Sequence, residues 1–174
     1  VQLIGPPLAK LAVKLADEME RDVTESDIIA SWQVKDVMTT EIPPIRIDTP
    51  VEKIMAAFSE YNCFIVPVVD KNGTLRGTIS LDDLKEILVS REAWPWLLAD
   101  DVTQAVGEKL SASMPLDEAM DMMYRLGEEQ MPVTSDEDEA KPAGMLDYRT
   151  VRRQASQETV RRRQAKTDEA EAVA

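Results

Sequence analysis

The apolar positions of this chain fall into short blocks of different period, and the blocks predict its elements. Residues 63–69, CFIVPVV, are almost continuously apolar, which predicts a strand covered on both faces. Asp70-Lys71-Asn72-Gly73 follows as a turn, because Asn and Gly accept positive φ. The apolar pattern resumes at Leu75 to Ile79, and Ser80-Leu81-Asp82-Asp83 then opens a helical stretch, LDDLKEIL. Upstream, Ile42-Pro43-Pro44-Ile45-Arg46-Ile47 reads as extended, and its prolines confine it to a sheet edge or a loop. Thr49-Pro50-Val51-Glu52 marks a helix start, with Thr as N-cap and Pro in first position. Ile54, Met55, Phe58 and Tyr61 share one side of that helix.

The ends read as helical extensions. Gly5-Pro6-Pro7 precedes Leu8, Leu11, Ala12 and Leu15 at helical spacing, Asp17 to Glu25 is charged and solvated, and Ser26 to Trp32 forms a further short helix. Residues 91–99 are an apolar link, and Trp32, Trp94 and Trp96 anchor lead-in and link by burial. From Tyr148 the pattern is a long polar helix without an apolar face, solvated or frayed at its end.

The pattern also returns along the chain. Asp36-Val37 recurs as Asp101-Val102, Pro50 as Pro115 and Pro67 as Pro132, each 65 residues on. Gly77 recurs as Gly144, 67 residues on, with the extra residues in the acidic turn Ser135 to Ala140. Four ordered anchors imply two copies of one β-α-β-β-α unit. Two copies are too few for a solenoid, so they should pack face to face. The expected fold is α/β: lead-in 1–33, first repeat 34–92, linker 93–100, second repeat 101–156 and polar tail 157–174.

Composition narrows the chemistry. The 174 residues carry a net charge of −13, which argues against a nucleic-acid binder, since phosphate contacts need a basic face. No His and a single Cys remove Ser-His-Asp and Cys-His catalysis, a zinc site and any internal disulfide. Cys63 lies in an apolar run and reads as a buried structural thiol. Without a nucleophile–base pair, an enzyme is not expected. There is no run of about 18 apolar residues and no signal-peptide pattern; a start at Val1 suggests a fragment or processed chain. Met114, Met120, Met122, Met123 and Met131 read as core, some facing a partner.

The duplicated unit resembles a pair of CBS domains, a Bateman module. The resemblance is carried by Asp36-Val37-Met38-Thr39, Thr49-Pro50-Val51, Val66-Pro67-Val68-Val69-Asp70 and Gly77-Thr78-Ile79-Ser80-Leu81-Asp82-Asp83. The second copy carries it through Asp101-Val102, Met131-Pro132-Val133 and Gly144-Met145-Leu146. The resemblance implies a regulatory module with no obligatory cofactor, holding AMP, ADP, ATP or an S-adenosyl compound between the copies. It implies Ser80 near a phosphate, Asp83 on the ribose hydroxyls, and base contacts from Ile42, Pro44, Ile45, Val66 and Pro67. It also implies a homodimer, attached to a membrane transporter or channel on its cytoplasmic side. Residues 3–18 are similar to the segment after the last membrane helix of bacterial cation/proton antiporters; a chloride-channel tail is the second possibility.

Ser80-x-x-Asp83 is also a capping-box arrangement that needs no ligand, so the ligand and capping readings stand side by side. The second copy places Met131, Pro132, Asp147, Arg149 and Thr150 in a weaker site. There Asp147 would repel a phosphate, with Arg149 as counter-charge, and an unphosphorylated adenosine compound would suffer less. Occupancy is expected to favour the first copy. A ligand-free dimerisation module and a Mg²⁺-sensing acidic tail are the alternatives. A specific metal site in the turn at 135–139 is the minor reading, since a charge run is usually a solvated loop.

Overall fold

A computed structural model describes residues 23–61, 63–88 and 96–173. The helix expected from Leu8 onward, the antiporter-like segment 3–18 and Trp94 lie outside the described residues. The first repeat gives β1 (Ile45–Arg46), α2 (Val51–Tyr61), β2 (Ile65–Val69), β3 (Leu75–Ser80) and α3 (Leu81–Leu88), preceded by α1 (Glu25–Ser31). The second repeat gives α4 (Ala99–Val102), β4 (Gln104–Ala105), β5 (Leu110–Ser111), α5 (Leu116–Leu126), β6 (Gln130–Thr134), β7 (Pro142–Asp147) and α6 (Tyr148–Val173). The expected α/β architecture of two β-α-β-β-α units is present.

Each apolar run becomes the buried middle strand of its sheet. β2 lies between parallel β1 and antiparallel β3, and β6 lies between parallel β5 and antiparallel β7. Val66 and Val68 are fully buried, as is Val133. The turn at 70–73 forms as expected, with Gly73 at φ +79°.

The repeats exchange their opening segments. β4, at the start of the second repeat, pairs with β3 of the first through Gly77 and Thr78. Thr39, at the matching place in the first repeat, bridges Met145 in β7. The 65-residue offset extends to backbone hydrogen bonds. The Val34 N–H donates to Met114 C=O (3.0 Å), and its counterpart Ala99 donates to Thr49 C=O (2.8 Å). Leu116 donates to Trp32 C=O (3.0 Å), matched by Val51 to Leu97 C=O (3.1 Å). Accordingly, Ala99 and Val102 complete the first core, and Val34 and Val37 complete the second. Helix α2 begins at Val51, and the Thr49 carbonyl is committed to this cross-repeat bond.

Two expectations are corrected. Trp96 is 83% exposed, so burial does not anchor it; Trp32 does pack against the second core. The C-terminal helix is not polar all round. Val151, Ala155 and Thr159 are buried at a spacing of four residues, a stripe so short and weakly apolar that neighbouring arginines hide it in sequence. α1 covers that stripe, with Ile28 fully buried, and Arg152 meets Glu25 at 3.3 Å. From Val160 to Asp168 the helix is exposed.

Candidate functional site

Ser80 and Asp83 sit at the start of α3 and satisfy one another. The Ser80 N–H (2.7 Å) and hydroxyl (2.6 Å) both donate to Asp83 Oδ2, and the Asp83 N–H donates to Ser80 Oγ (3.1 Å). That is a complete reciprocal cap. In the second repeat, Asp147 Oδ1 accepts from the Thr150 N–H (2.7 Å), and its Oδ2 accepts from the Gln130 amide (2.5 Å).

The glycines of the two motifs have a different duty. A Cβ on Gly144 would lie 2.5 Å from the Thr39 carbonyl oxygen, and one on Gly77 would collide with the Gln104 carbonyl. Both glycines admit the exchanged strand of the other repeat.

Two clefts result. The larger, about 710 Å³, is lined from the first repeat by Val37 to Ile42, Tyr61, Cys63 and Phe64. The second repeat contributes Gln130, Asp147, Arg149, Thr150, Arg153 and Gln154 to it. The smaller, about 260 Å³, is lined by Ile65 and Thr78, by Gln104 to Glu108, and by Leu126, Glu128 and Gln130 to Pro132. The exchange therefore regroups the predicted residues. Ile42 joins Asp147, Arg149 and Thr150, whereas Met131 and Pro132 face the other cleft. Pro44, Ile45, Val66, Pro67, Ser80 and Asp83 line neither of these two. Val66 is in the core and Pro44 is exposed.

The larger cleft has two chemically distinct walls. Ile42, Cys63, Tyr61 and Phe64 form the apolar one, and Phe64 is 62% exposed there. Burial pushes the Cys63 thiol up, away from a reactive thiolate. The opposite wall is the first turns of α6. Arg149 pairs with Glu129 at 2.6 Å, and that bond raises its affinity for its proton further. Asp147 accepts from neutral donors at both oxygens, which hold the carboxylate in place and leave its negative charge in the cleft lining. The smaller cleft carries Glu108 and Glu128 and, among the described residues, no basic side chain.

The sequence reading missed Phe64, Gln130, Arg153 and Gln154. Phe64 was visible as the aromatic of an aliphatic run, and Arg153 lies one helical turn beyond Arg149. The acidic turn has local uses: Asp136 accepts from the Ser113 N–H (3.1 Å), and Asp138 accepts from Ala140 (3.1 Å). Among the described residues, no three acidic, His or Cys side chains converge as a metal site would require. Also among them, no helix is long and apolar enough to cross a membrane.

The CBS domain family model matches residues 34–90 and again 108–156, more than half the chain. The chain belongs to the CBS domain family. This CBS pair is 31% identical over 74 residues (42% of it) to homoserine O-acetyltransferase from Methanococcus vannielii. It is 30% identical over 56 residues (32% of it) to the magnesium transporter MgtE from Thermus thermophilus. It spans only 15% and 12% of those two relatives. Among solved structures, it resembles the CBS domain of a membrane protein from Sphaerobacter thermophilus, at 22% identity and TM-score 0.62, over 83% of this chain and 95% of that one. CBSX2 in complex with AMP matches at 22% and 0.61 over 73% and 98%, and CBSX2 from Arabidopsis thaliana at 23% and 0.62 over 72% and 95%. The CBS domain of a bacterial CNNM/CorC family Mg²⁺ transporter, solved with ATP, matches at 16% and 0.63 over 79% and 94%.

Proposed function

We propose that this CBS pair is a non-catalytic regulatory module that binds an adenine nucleotide or adenosyl compound in the larger cleft. The observation that carries the reading is the cleft itself: about 710 Å³ between the repeats, lined by apolar and aromatic side chains with Glu41 from the first repeat and by Asp147, Arg149, Arg153 and polar groups from the second. That volume suits a small ligand. A base fits the wall of Ile42, Tyr61 and Phe64, and polar groups fit the α6 wall. The AMP and ATP complexes of similar pairs support the ligand class, and the magnesium-transporter relatives support an attached transporter. Ligand would favour one packing of the repeats over another, by no more than its differential affinity for the two. This reading moves the favoured site from Ser80 and Asp83 to the cleft beside α6.

Calorimetric titration with AMP, ADP, ATP and S-adenosylmethionine tests it. Heat with at least one is expected. Phe64→Ala should weaken binding about three- to tenfold through lost stacking, while Asp83→Ala leaves affinity within about twofold and lowers the melting temperature through its cap. No heat with any of the four would refute the reading. A second reading, a ligand-free dimerisation module, draws on the fully satisfied Ser80–Asp83 cap. It predicts a dimer in sedimentation with no heat from any compound.

A further inference from the structure

We infer that the Gln130 carboxamide reads the base in the larger cleft, so that a 6-amino purine is favoured there over a 6-oxo purine. This rests on the adenosine reading above and names the residue that sets its specificity.

Gln130 stands where the duplicated pattern has Ile65 in the first repeat, 65 residues earlier. An amide thus replaces an aliphatic side chain at the start of a middle strand. Gln130 lines both clefts, and its register partner across β6 and β7 is Asp147, which lines the larger. Register partners stand on one face of a sheet, and here the amide meets the carboxylate: Gln130 Nε2 donates to Asp147 Oδ2 at 2.5 Å. The other end of the amide is unmatched. Among the described residues, Gln130 Oε1 is the only buried side-chain oxygen or nitrogen without a hydrogen-bond partner.

The Asp147 carboxylate decides which end of the amide is on offer. Turning the amide over would set Oε1 against Asp147 Oδ2, two acceptors at hydrogen-bond distance. Asp147 is itself fixed, because its Oδ1 accepts from the Thr150 N–H at 2.7 Å. Gln130 is therefore held as an acceptor. The 6-amino group of adenine is a donor, and the carbonyl at the same place in hypoxanthine is an acceptor. Oε1 is closed off from solvent, so a base that moves the lining aside to meet it makes a bond that water did not already supply. Tyr61 and Phe64, the aromatic side chains of this cleft, are exposed enough to yield. An oxo group would instead bring a second acceptor to a buried one, and sites that leave a buried polar group unpaired discriminate strongly.

The test is titration of the whole chain with AMP, ATP and adenosine, each beside the matching inosine compound, which differs only at position 6 and in the proton on the neighbouring ring nitrogen. Wild type should bind the best adenine compound at least about tenfold more tightly than its inosine counterpart. Gln130→Met, of similar length and without the carbonyl, should bring the two within about threefold, chiefly by weakening the adenine compound. Asp147→Asn should narrow the gap from the other side. An Asn side chain can accept or donate, so the Gln130 amide is free to turn and the inosine compound gains. Asn also caps helices well, so α6 keeps its start. Both variants should keep the wild-type circular dichroism; if Gln130→Met fails to fold, Asp147→Asn carries the test alone. Adenine and inosine compounds bound alike by wild type, a preference unchanged in either variant, or equal loss of both compounds in Gln130→Met would overturn this inference and leave the adenosine reading standing. Silence from every adenine compound would overturn both.

Discussion

Gly144 has ordinary backbone angles; what excludes a side chain there is the Thr39 carbonyl, 2.5 Å from where a Cβ would sit. Gly77 meets the Gln104 carbonyl in the same way. In sequence these glycines read as parts of a ligand motif, yet their contacts belong to strand exchange. Gly144→Ala must push the Thr39 bridge away or bend β7. It should cost about 1–3 kcal/mol, as overpacking against backbone generally does, and lower the melting temperature by several degrees. The same substitution at Gly73, where open space surrounds the Cβ position, is strained only by its positive φ. Comparison of the two by thermal denaturation separates crowding from backbone strain. Ser80, Asp83 and Asp147 carry a related lesson. The residue types suited to a nucleotide are also those suited to a helix start, and their hydrogen bonds here stay within each repeat.

Among the elements, the β2–β3 hairpin was the most legible. Its turn is held by Asp70, whose Oδ1 accepts from the Asn72 N–H (2.8 Å) and the Thr74 N–H (3.0 Å). The Thr74 N–H does most to hold the Asp70 carboxyl below its usual value of 3.8. A carboxyl depressed in the folded state stabilises above its unfolded pKa, and the effect is lost as pH falls through the folded value. Asp70→Asn should therefore destabilise at neutral pH, and the gap from wild type should close below about pH 3.8; denaturant melts across pH 2–7 would measure it. Helix α6 was the least legible element. Val151, Ala155 and Thr159 acquire an apolar role only because α1 lies over them, and nothing local announces that α1 will come there.

In the whole molecule, each core contains the opening segment of the other repeat, and each sheet takes its bond from the other's leading strand. The acidic turn adds a tie, since Leu75 donates to the Ala140 carbonyl at 2.6 Å. The repeats should therefore unfold together, in one transition with coincident fluorescence and circular-dichroism midpoints. A fragment covering residues 101–174 lacks Val34, Val37 and the Thr39 bridge. It should lose fixed tertiary structure, read as collapse of amide dispersion in its NMR spectrum. A well-dispersed fragment spectrum would show that the exchange is decoration.

The sequence by itself determined the elements, the duplication and the family, because periodicity, turn chemistry and a 65-residue recurrence are local or self-comparing signals. It also placed Cys63, Met120, Met123 and Met131 in the interior, since apolar runs have nowhere else to go. Only the tertiary structure decided which residues share a cleft. Ile42 meets Asp147, Arg149 and Thr150, and Met131 faces away from them, because the leading strands cross between the repeats. A pairing between segments about a hundred residues apart leaves no period for a sequence to display.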